Sequence, residues 1–291
     1  MNDVGNIQWF PGHMTKTRRL IEADLKMVDA VVEITDARIP ESSRNPILDE
    51  LVRDKPRIIL MNKCDYADEA ATRAWKQFYE KKGIRVLTCD CRSGKGLNAF
   101  LPEVKRLLAE LIERRKKRGM IGKALRLMVV GIPNVGKSSF INRMAKTKKT
   151  KVGDKPGVTR GKQWVSIDKD VELLDMPGIL WPKFDDQTAA QRLAFTGAIK
   201  DDVMDTEALA RALGAVLKEQ YPELLNARYK LTGEEDILRD IARSRGMLIS
   251  GGEPDTERAA AALLDEYRGG KIGRITLERP GSADSVGRRN A

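Results

Sequence analysis

Residues 131–138 of the sequence, GIPNVGKS, match the pattern G-x-x-x-x-G-K-S, whose residue types and spacing suit the binding of phosphate groups. The backbone N–H groups of such a loop form a concave anion site at the start of a helix. In this pattern Lys137 reaches the β- and γ-phosphates as a catalytic charge, and Ser138 is a ligand of Mg²⁺. The other residues of this segment assigned to the nucleotide are Asn134, Val135, Gly136 and Ser139. An apolar run precedes the loop and a helical pattern follows it, which is the context that the motif requires.

A second motif, N-K-x-D at residues 62–65, points to the base of the nucleotide. The Asp65 carboxylate can accept hydrogen bonds from N1–H and the 2-amino group of guanine, whereas adenine lacks this pair of donors. The stem of Lys63 can cover the face of the base, and Asn62 can tie the loop to its neighbours. The alternative is a surface turn without a ligand, since the motif is short. Together with the phosphate loop, the motif predicts a GTP site.

Two further segments and one threonine complete the predicted site. Asp175 and Gly178, in the sequence DMPG, match D-x-x-G, in which the carboxylate contacts Mg²⁺ through water and the glycine N–H meets the γ-phosphate. Thr159 is the candidate for a second Mg²⁺ hydroxyl and catalytic residue on a loop that GTP orders. A plain Pro-Gly turn is the alternative there. Cys91 lies in a candidate second base loop, DCRSGKG at residues 90–96, although Asp-Cys replaces the usual Ser-Ala.

The guanine motif precedes the phosphate loop, whereas ordinary small GTPases have the opposite order. The inversion predicts a circularly permuted GTPase domain. Apolar runs of strand length occupy residues 28–34, 57–61, 84–88 and 125–130, and a hairpin is predicted over residues 163–174. Strands that are buried on both faces give such runs, and helical stretches separate them. The expected fold class is therefore α/β, with a doubly wound and mostly parallel sheet.

Helical patterns dominate the rest of the chain. After residue 178 helices are predicted over Thr206–Gln220, Gly233–Arg245 and Asp255–Tyr267, and earlier ones over Arg18–Lys26 and Leu97–Arg118. The predicted organisation is a GTPase domain over residues 1–184, a small all-helical domain over residues 185–279, and a disordered tail over residues 280–291.

The composition narrows the class of partner. Lys and Arg number 53 against 42 Asp and Glu, so the net charge of +11 favours a polyanion, with a merely basic solvated surface as the alternative. No apolar run approaches the ~20 residues of a membrane span, and no secretion signal is seen, so no membrane partner is expected. The cysteines, Cys64, Cys89 and Cys91, lack the spacing of a disulfide framework, which indicates reduced thiols and a cytoplasmic location.

Two further segments carry a resemblance to a known family. The sequence QWFPGHM at residues 8–14 and TDARIP at residues 35–40, together with the motif order, resemble the ribosome biogenesis GTPase A (YlqF) family of permuted GTPases. The resemblance covers nearly the whole chain. It implies a GTPase that helps to mature the large ribosomal subunit and binds ribosomal RNA, with RNA contacts made by the C-terminal helical domain.

One departure from signalling GTPases bears on the mechanism. Ile179 stands where those enzymes place the glutamine that orients water, so intrinsic hydrolysis is expected to be slow. The position of Asn134 in related GTPases makes it a candidate ligand of K⁺ near the β- and γ-phosphates. His13 is the only histidine, and it is a candidate water-positioning residue when ribosomal RNA docks its segment. A structural or simply exposed histidine is the alternative.

Other functions compete with that of a GTP-hydrolysing assembly factor. One is an RNA-binding switch in which GTP only tunes affinity, and the basic stretch RMAKTKKTK at residues 143–151 could couple the two, or be a solvated face. Another is a signalling GTPase with a protein effector. The charge, the missing glutamine and the absence of lipidation signals disfavour it. DNA is not an expected partner.

Overall fold

The structure is a computed structural model, which describes residues 14–52, 55–120, 122–146, 163–178, 186–199 and 204–281. Its centre is a sheet of six strands: β1 Ala30–Asp36, β2 Arg57–Asn62, β3 Arg85–Thr88, β4 Leu125–Gly131, β5 Gln163–Asp168 and β6 Val171–Asp175. The strand order is β3-β2-β1-β4-β6-β5, and only β5 is antiparallel to its neighbour. The predicted α/β class, the mostly parallel sheet and the terminal hairpin are confirmed.

The carboxyl ends of the four central strands meet at one edge of the sheet. Asp36 pairs with Asn62, Ile34 pairs with Gly131, and Val129 pairs with Asp175. Each of these strands leads directly into a loop with a sequence motif. Because parallel strands end at the same edge, motifs that are far apart in the sequence are brought together there.

Helices cover both faces of the sheet. Those of the first part of the chain are α1 Met14–Leu25, α2 Pro46–Leu51, α3 Glu69–Lys81, α4 Phe100–Leu107, α5 Ala109–Lys117 and α6 Lys137–Lys146. Successive residues of β1 belong to different apolar clusters on opposite faces of the sheet. Val32 shares a cluster with Phe100 and Phe140, whereas Val31 shares one with Ile21. This alternation is what a doubly wound sheet requires.

The single helix predicted over Leu97–Arg118 is wrong. A 3₁₀ turn at Leu97–Ala99 leads into α4, and α5 follows after Leu108, whose backbone angles (φ −102°, ψ 17°) leave the helical range. The Leu108 N–H still bonds to the Val104 carbonyl at 3.0 Å. The break separates α4, which buries Phe100 and Val104, from α5, in which no residue is buried. The interruption therefore falls where full burial ends, and Leu111 and Ile112 of α5 pack against the core while only partly buried.

The described residues of the second part of the chain include five helices: α7 Gln187–Phe195, α8 Thr206–Gln220, α9 Pro222–Tyr229, α10 Ile237–Ser244 and α11 Thr256–Arg268. The bounds of α8 are as predicted, and α11 begins one residue later because Asp255 caps it through the Arg258 N–H. The predicted start of α10 at Gly233 is wrong. Asp240 holds this segment as a loop, because its carboxylate accepts the backbone N–H groups of Gly233 at 2.8 Å and of Glu234 at 3.1 Å.

The chain then returns to the sheet region. We call Lys271–Arg279 the C-terminal strap. Its Leu277 N–H donates to the Arg38 carbonyl at 2.8 Å, and the Trp75 indole N–H donates to the Glu278 carbonyl at 3.0 Å. The predicted domain bounds thus remain predictions, but the last described segment lies against the first half of the chain. Within the described ranges, no helix is long and apolar enough to cross a membrane.

Candidate nucleotide site

The phosphate loop connects β4 to α6 and has two residues with left-handed backbone angles. These are Asn134 at φ 58° and Gly136 at φ 102°. A Cβ atom at Gly136 would collide with the side-chain amide of Asn62. Glycine is therefore required both by its backbone angle and by the approach of the guanine loop. Ser138 and Ser139 follow in the first turn of α6, with exposed side chains.

Lys137 is buried beneath this loop. Its Nζ donates to the Gly131 carbonyl at 3.1 Å and to the Ile132 carbonyl at 3.0 Å. Burial lowers the pKa of Lys137 to about 8, and the charge of Asp175 opposes the shift. A Cβ atom on Gly178 would lie 3.0 Å from the same Nζ. The three predicted phosphate and metal residues Lys137, Asp175 and Gly178 are therefore neighbours in space.

The lowered pKa of Lys137 predicts proton uptake on nucleotide binding. A pKa of about 8 would leave about half of the Lys137 amines neutral at pH 8 in the free protein, whereas bound phosphates would keep the amine charged. GDP binding should therefore take up about half a proton at pH 8 and more at pH 9. Calorimetry in two buffers of different ionisation enthalpy measures this uptake. In Lys137→Met the uptake should vanish along with much of the affinity; a wild-type enthalpy independent of buffer at both pH values would contradict the expectation.

Asn62 joins three loops through its side-chain amide. Its Nδ2 donates to the Val135 carbonyl of the phosphate loop at 2.8 Å. Its Oδ1 accepts the Cys91 backbone N–H, in the candidate second base loop, at 3.0 Å. The Asp90 carboxylate shapes that loop by accepting the Arg92 N–H at 2.7 Å. The three cysteines of the chain are free thiols, with the sulfurs of Cys89 and Cys91 3.8 Å apart.

One carboxylate oxygen of Asp65, Oδ1, is buried and accepts no hydrogen bond from the described residues. Burial raises the pKa of Asp65, a hydrogen bond from its own backbone lowers it, and Asp90 raises it further. A buried acceptor that lacks a partner is costly unless a ligand supplies one. The N1–H and 2-amino donors of guanine have the required chemistry.

Lys63 belongs to a buried charge cluster that the sequence reading did not assign to the site. Its Nζ lies 3.0 Å from Asp36 Oδ2. Arg38, which is 1% exposed, donates to both Asp36 oxygens, through Nε at 3.0 Å and Nη2 at 2.8 Å. Burial alone would raise the pKa of Asp36, but Arg38 and Lys63 hold it well below its ordinary value. Asp36 and Arg38 lie in the TDARIP segment, which the family resemblance had singled out. Its residue types alone do not indicate that these two charged side chains are buried.

Hydrogen bonds of Asn134 and Arg38 connect the site region with the second part of the chain. Asn134 Nδ2 donates to the Gly197 carbonyl, just after α7, at 2.6 Å. Arg38 Nη1 donates to the Tyr267 carbonyl at 3.0 Å and to the Arg268 carbonyl at 3.2 Å, at the end of α11. The phosphate loop and the segment after β1 are thus both bonded to the helical part.

Three predicted positions lie outside the described residues: His13, Thr159 and Ile179. The same holds for residues 147–151 of the basic stretch. Their predicted roles in water positioning, Mg²⁺ binding and RNA coupling stay predictions.

Comparisons with known proteins decide the family. Residues 126–227 match the family model described as 50S ribosome-binding GTPase. The ribosome biogenesis GTPase A of Bacillus licheniformis is 47% identical over 281 residues, which are 94% of this chain and 98% of that protein. The chain belongs to the ribosome biogenesis GTPase A family. The family member of Thermotoga maritima is 34% identical, with 94% of this chain and 95% of that protein covered.

A solved structure agrees with this assignment. The crystal structure of GNP-bound YlqF from T. maritima is similar at a TM-score of 0.61 and 30% identity, over 91% of this chain and 99% of the other. As a member of the ribosome biogenesis GTPase A family, the protein is a GTPase that acts in ribosome biogenesis. Its activity requires Mg²⁺, as GTP hydrolysis generally does.

Proposed function

We propose that the protein is a GTP-hydrolysing assembly factor for the large ribosomal subunit, acts in the cytoplasm and binds ribosomal RNA in a nucleotide-dependent way. The observation that carries the nucleotide part is the bridge made by Asn62, which bonds to the phosphate loop at 2.8 Å and to the second base loop at 3.0 Å. One continuous site can thereby address both ends of GTP. The family assignment and the match to a 50S ribosome-binding GTPase model support the ribosomal part.

Each loop has a separate task in this proposal. Asp65 reads the guanine edge, Lys63 covers the base, and the Cys91 segment closes the base pocket. The phosphates lie on the remaining predicted contact residues: Asn134, Val135, Gly136, Lys137, Ser138, Ser139 and Gly178. Lys137 changes partners on binding, because its ammonium group leaves the two loop carbonyls for the phosphate oxygens.

The donor set at the sheet edge suits Mg²⁺. The Ser138 hydroxyl and the Asp175 carboxylate, the latter through water, are hard oxygen donors of the kind that this ion prefers. Thr159 would add a second hydroxyl in the GTP state. Bound Mg²⁺ supplies positive charge to the β- and γ-phosphate oxygens. We assign a K⁺ near the same phosphates to Asn134, whose amide nitrogen already bonds to Gly197 at 2.6 Å.

The charge distribution supports an RNA partner. The net charge is +11, and α5 concentrates basic residues in its last turn without burying any side chain. Arg115 is engaged with Asp29 at 2.5 Å, whereas Lys116, Lys117 and Arg118 are exposed. Exposed cations of this density attract phosphate backbones, with an affinity that falls steeply with salt.

Intrinsic GTP hydrolysis is expected to be slow because Ile179 replaces the glutamine that orients water in signalling GTPases. We propose that the ribosome accelerates the hydrolysis. In this proposal ribosomal RNA docks the N-terminal segment so that His13 positions the attacking water. We expect large subunits to stimulate the wild-type GTP turnover about 10- to 100-fold, and the His13→Ala variant to lose most of that stimulation. Turnover is measured with and without purified large subunits.

Sedimentation with ribosomal subunits is the accompanying control. The His13→Ala variant should co-sediment like the wild type, and both should bind more strongly with a non-hydrolysable GTP analogue than with GDP. Equal binding in the two nucleotide states would contradict the nucleotide-dependent part. Full stimulation of His13→Ala would contradict the role of His13, while binding without any stimulation in the wild type would favour the RNA-binding switch.

A further inference from the structure

The C-terminal strap bonds to the guanine loop on both sides of Asp65. Arg274 Nη2 donates to the Cys64 carbonyl at 3.1 Å, and the Ile275 N–H donates to the Tyr66 carbonyl at 2.8 Å. Residues more than 200 positions later in the chain thus hold the two neighbours of the guanine-reading carboxylate. The Asp65 Oδ1 atom itself has no protein partner among the described residues, so its position depends on this backbone.

Thr276 extends this support to the segment after β1 and to the start of α3. It is fully buried, and its Oγ1 donates to the Ala37 carbonyl at 3.2 Å and accepts the Asp68 N–H at 3.1 Å. Asp68 begins α3, immediately after the guanine loop. One hydroxyl therefore fixes the exit of that loop relative to the end of β1. The Thr276 N–H is in turn fixed by Tyr221 Oη at 3.0 Å.

The strap has its own anchor beyond these bonds. The buried carboxylate of Glu278 accepts the backbone N–H groups of Glu41 at 2.7 Å and of Ser42 at 3.1 Å. At its other end, a Cβ atom on Gly270, at φ +69°, would collide with the ring of Tyr66. The strap is therefore fixed at both ends, by close packing at Gly270 and by the buried hydrogen bonds of Glu278. A segment fixed in this way can hold the residues that it contacts in place.

We propose that the C-terminal strap positions the guanine loop, with Thr276 and Arg274 as positioning residues for base selectivity. The inference rests on the proposed guanine contact of Asp65. Discrimination by a carboxylate depends on its placement, since a shift of about 1 Å already weakens hydrogen bonds in a preorganised site. Because the strap follows α11 directly, anything that moves the helical part also acts on base recognition, and guanine binding acts back on it to the same extent.

The test compares GDP with inosine diphosphate, which lacks only the 2-amino group. In the wild type we expect a preference for GDP of roughly 10- to 100-fold, from one hydrogen bond to a charged acceptor. Thr276→Val keeps the shape of the side chain and removes the hydroxyl, and should lower this ratio about three- to tenfold. Arg274→Ala, at an exposed position, should lower it about two- to threefold.

The matched control is Thr196→Val, which removes a buried hydroxyl bonded to the Leu193 carbonyl at 3.0 Å, and should keep the wild-type ratio.

The ratio separates positioning from general destabilisation. A smaller folded fraction lowers the affinity for both diphosphates equally and leaves their ratio unchanged, so an unchanged ratio in Thr276→Val and Arg274→Ala overturns the proposal. If Thr276→Val does not fold, Arg274→Ala decides alone. A wild-type ratio near one would instead contradict the assignment of Asp65 to guanine, which is a different failure.

Discussion

Asp65→Asn is expected to weaken GDP binding by roughly 100- to 1,000-fold and to strengthen the binding of xanthosine diphosphate. The buried Oδ1 of Asp65 has no partner among the described residues, and guanine would supply its donors. An amide at this position offers a donor where guanine also has donors, so two charge-assisted hydrogen bonds are lost. Xanthine has a carbonyl in place of the 2-amino group, and that carbonyl can accept from the amide.

Fluorescence titration with labelled GDP and labelled xanthosine diphosphate measures whether Asp65→Asn shifts the binding preference from GDP towards xanthosine diphosphate. Asp68→Asn is the matched control, because Asp68 lies three residues further on and its carboxylate caps α3 through the Ala71 N–H. Asparagine caps a helix about as well as aspartate, so the preference for GDP should persist there. An Asp65→Asn variant that kept its GDP affinity would remove Asp65 from base recognition.

The sequence was sufficient to predict the sheet and to place the phosphate-loop and D-x-x-G motifs at the ends of its strands. Strands buried on both faces appear as continuous apolar runs, and the loops between them carry motifs with fixed spacing. Val129 and Asp175 pair in register, as adjacent parallel strands ending in a phosphate loop and a D-x-x-G motif require. The apolar runs and the motifs are local, so residue types within about ten positions reveal each of them.

Other features depend on contacts between distant residues. The strap bonds Ile275 to Tyr66, and no periodicity indicates such a pairing. Arg38 is a polar residue that composition places at the surface, yet it is 1% exposed because Asp36 neutralises it and backbone carbonyls accept its remaining donors. The late start of α10 depends on the carboxylate of Asp240, which bonds backward to a loop. Local propensity cannot anticipate these choices.

The inverted motif order determines how the helical part is connected to the nucleotide site. Permutation lets the chain leave the sheet after the D-x-x-G motif and pass into the helical part. That part contacts the phosphate loop through Gly197 and Asn134, and it contacts the guanine loop through the strap. Both ends of the nucleotide site are therefore bonded to one helical part, so a change in GTP occupancy can act on that part by two routes.

Arg38→Met is expected to lower the free energy of unfolding by about 3–5 kcal/mol, because it leaves a buried carboxylate with one cation in place of two. The side chain of Asp36 is 2% exposed, and Lys63 at 3.0 Å would be its remaining ionic partner. The variant also loses the bonds to Tyr267 and Arg268, so the attachment of α11 to the sheet should loosen. Denaturant titration measures the loss. Arg73→Ala is the matched control, since its pair with Glu69 is 66% exposed on both sides, and should cost less than about 1 kcal/mol.

The pH dependence distinguishes the buried charge from simple loss of packing. Arg38 and Lys63 lower the pKa of Asp36, so this carboxylate stabilises the fold above its unfolded pKa of about 4, and that stabilisation is lost as the pH falls. In Arg38→Met, burial dominates and raises the pKa of Asp36, so protonation relieves the defect. The stability gap to the wild type should therefore begin to narrow above pH 4, as Asp36 takes up a proton in the folded variant, and should continue to narrow as the pH falls. Adding Asp36→Asn to Arg38→Met should recover part of the loss at neutral pH, because no buried charge is left uncompensated. A gap that is constant from pH 7 to pH 3, with no recovery in the double variant, would mean that lost packing, and not the buried ion pair, accounts for the lost stability.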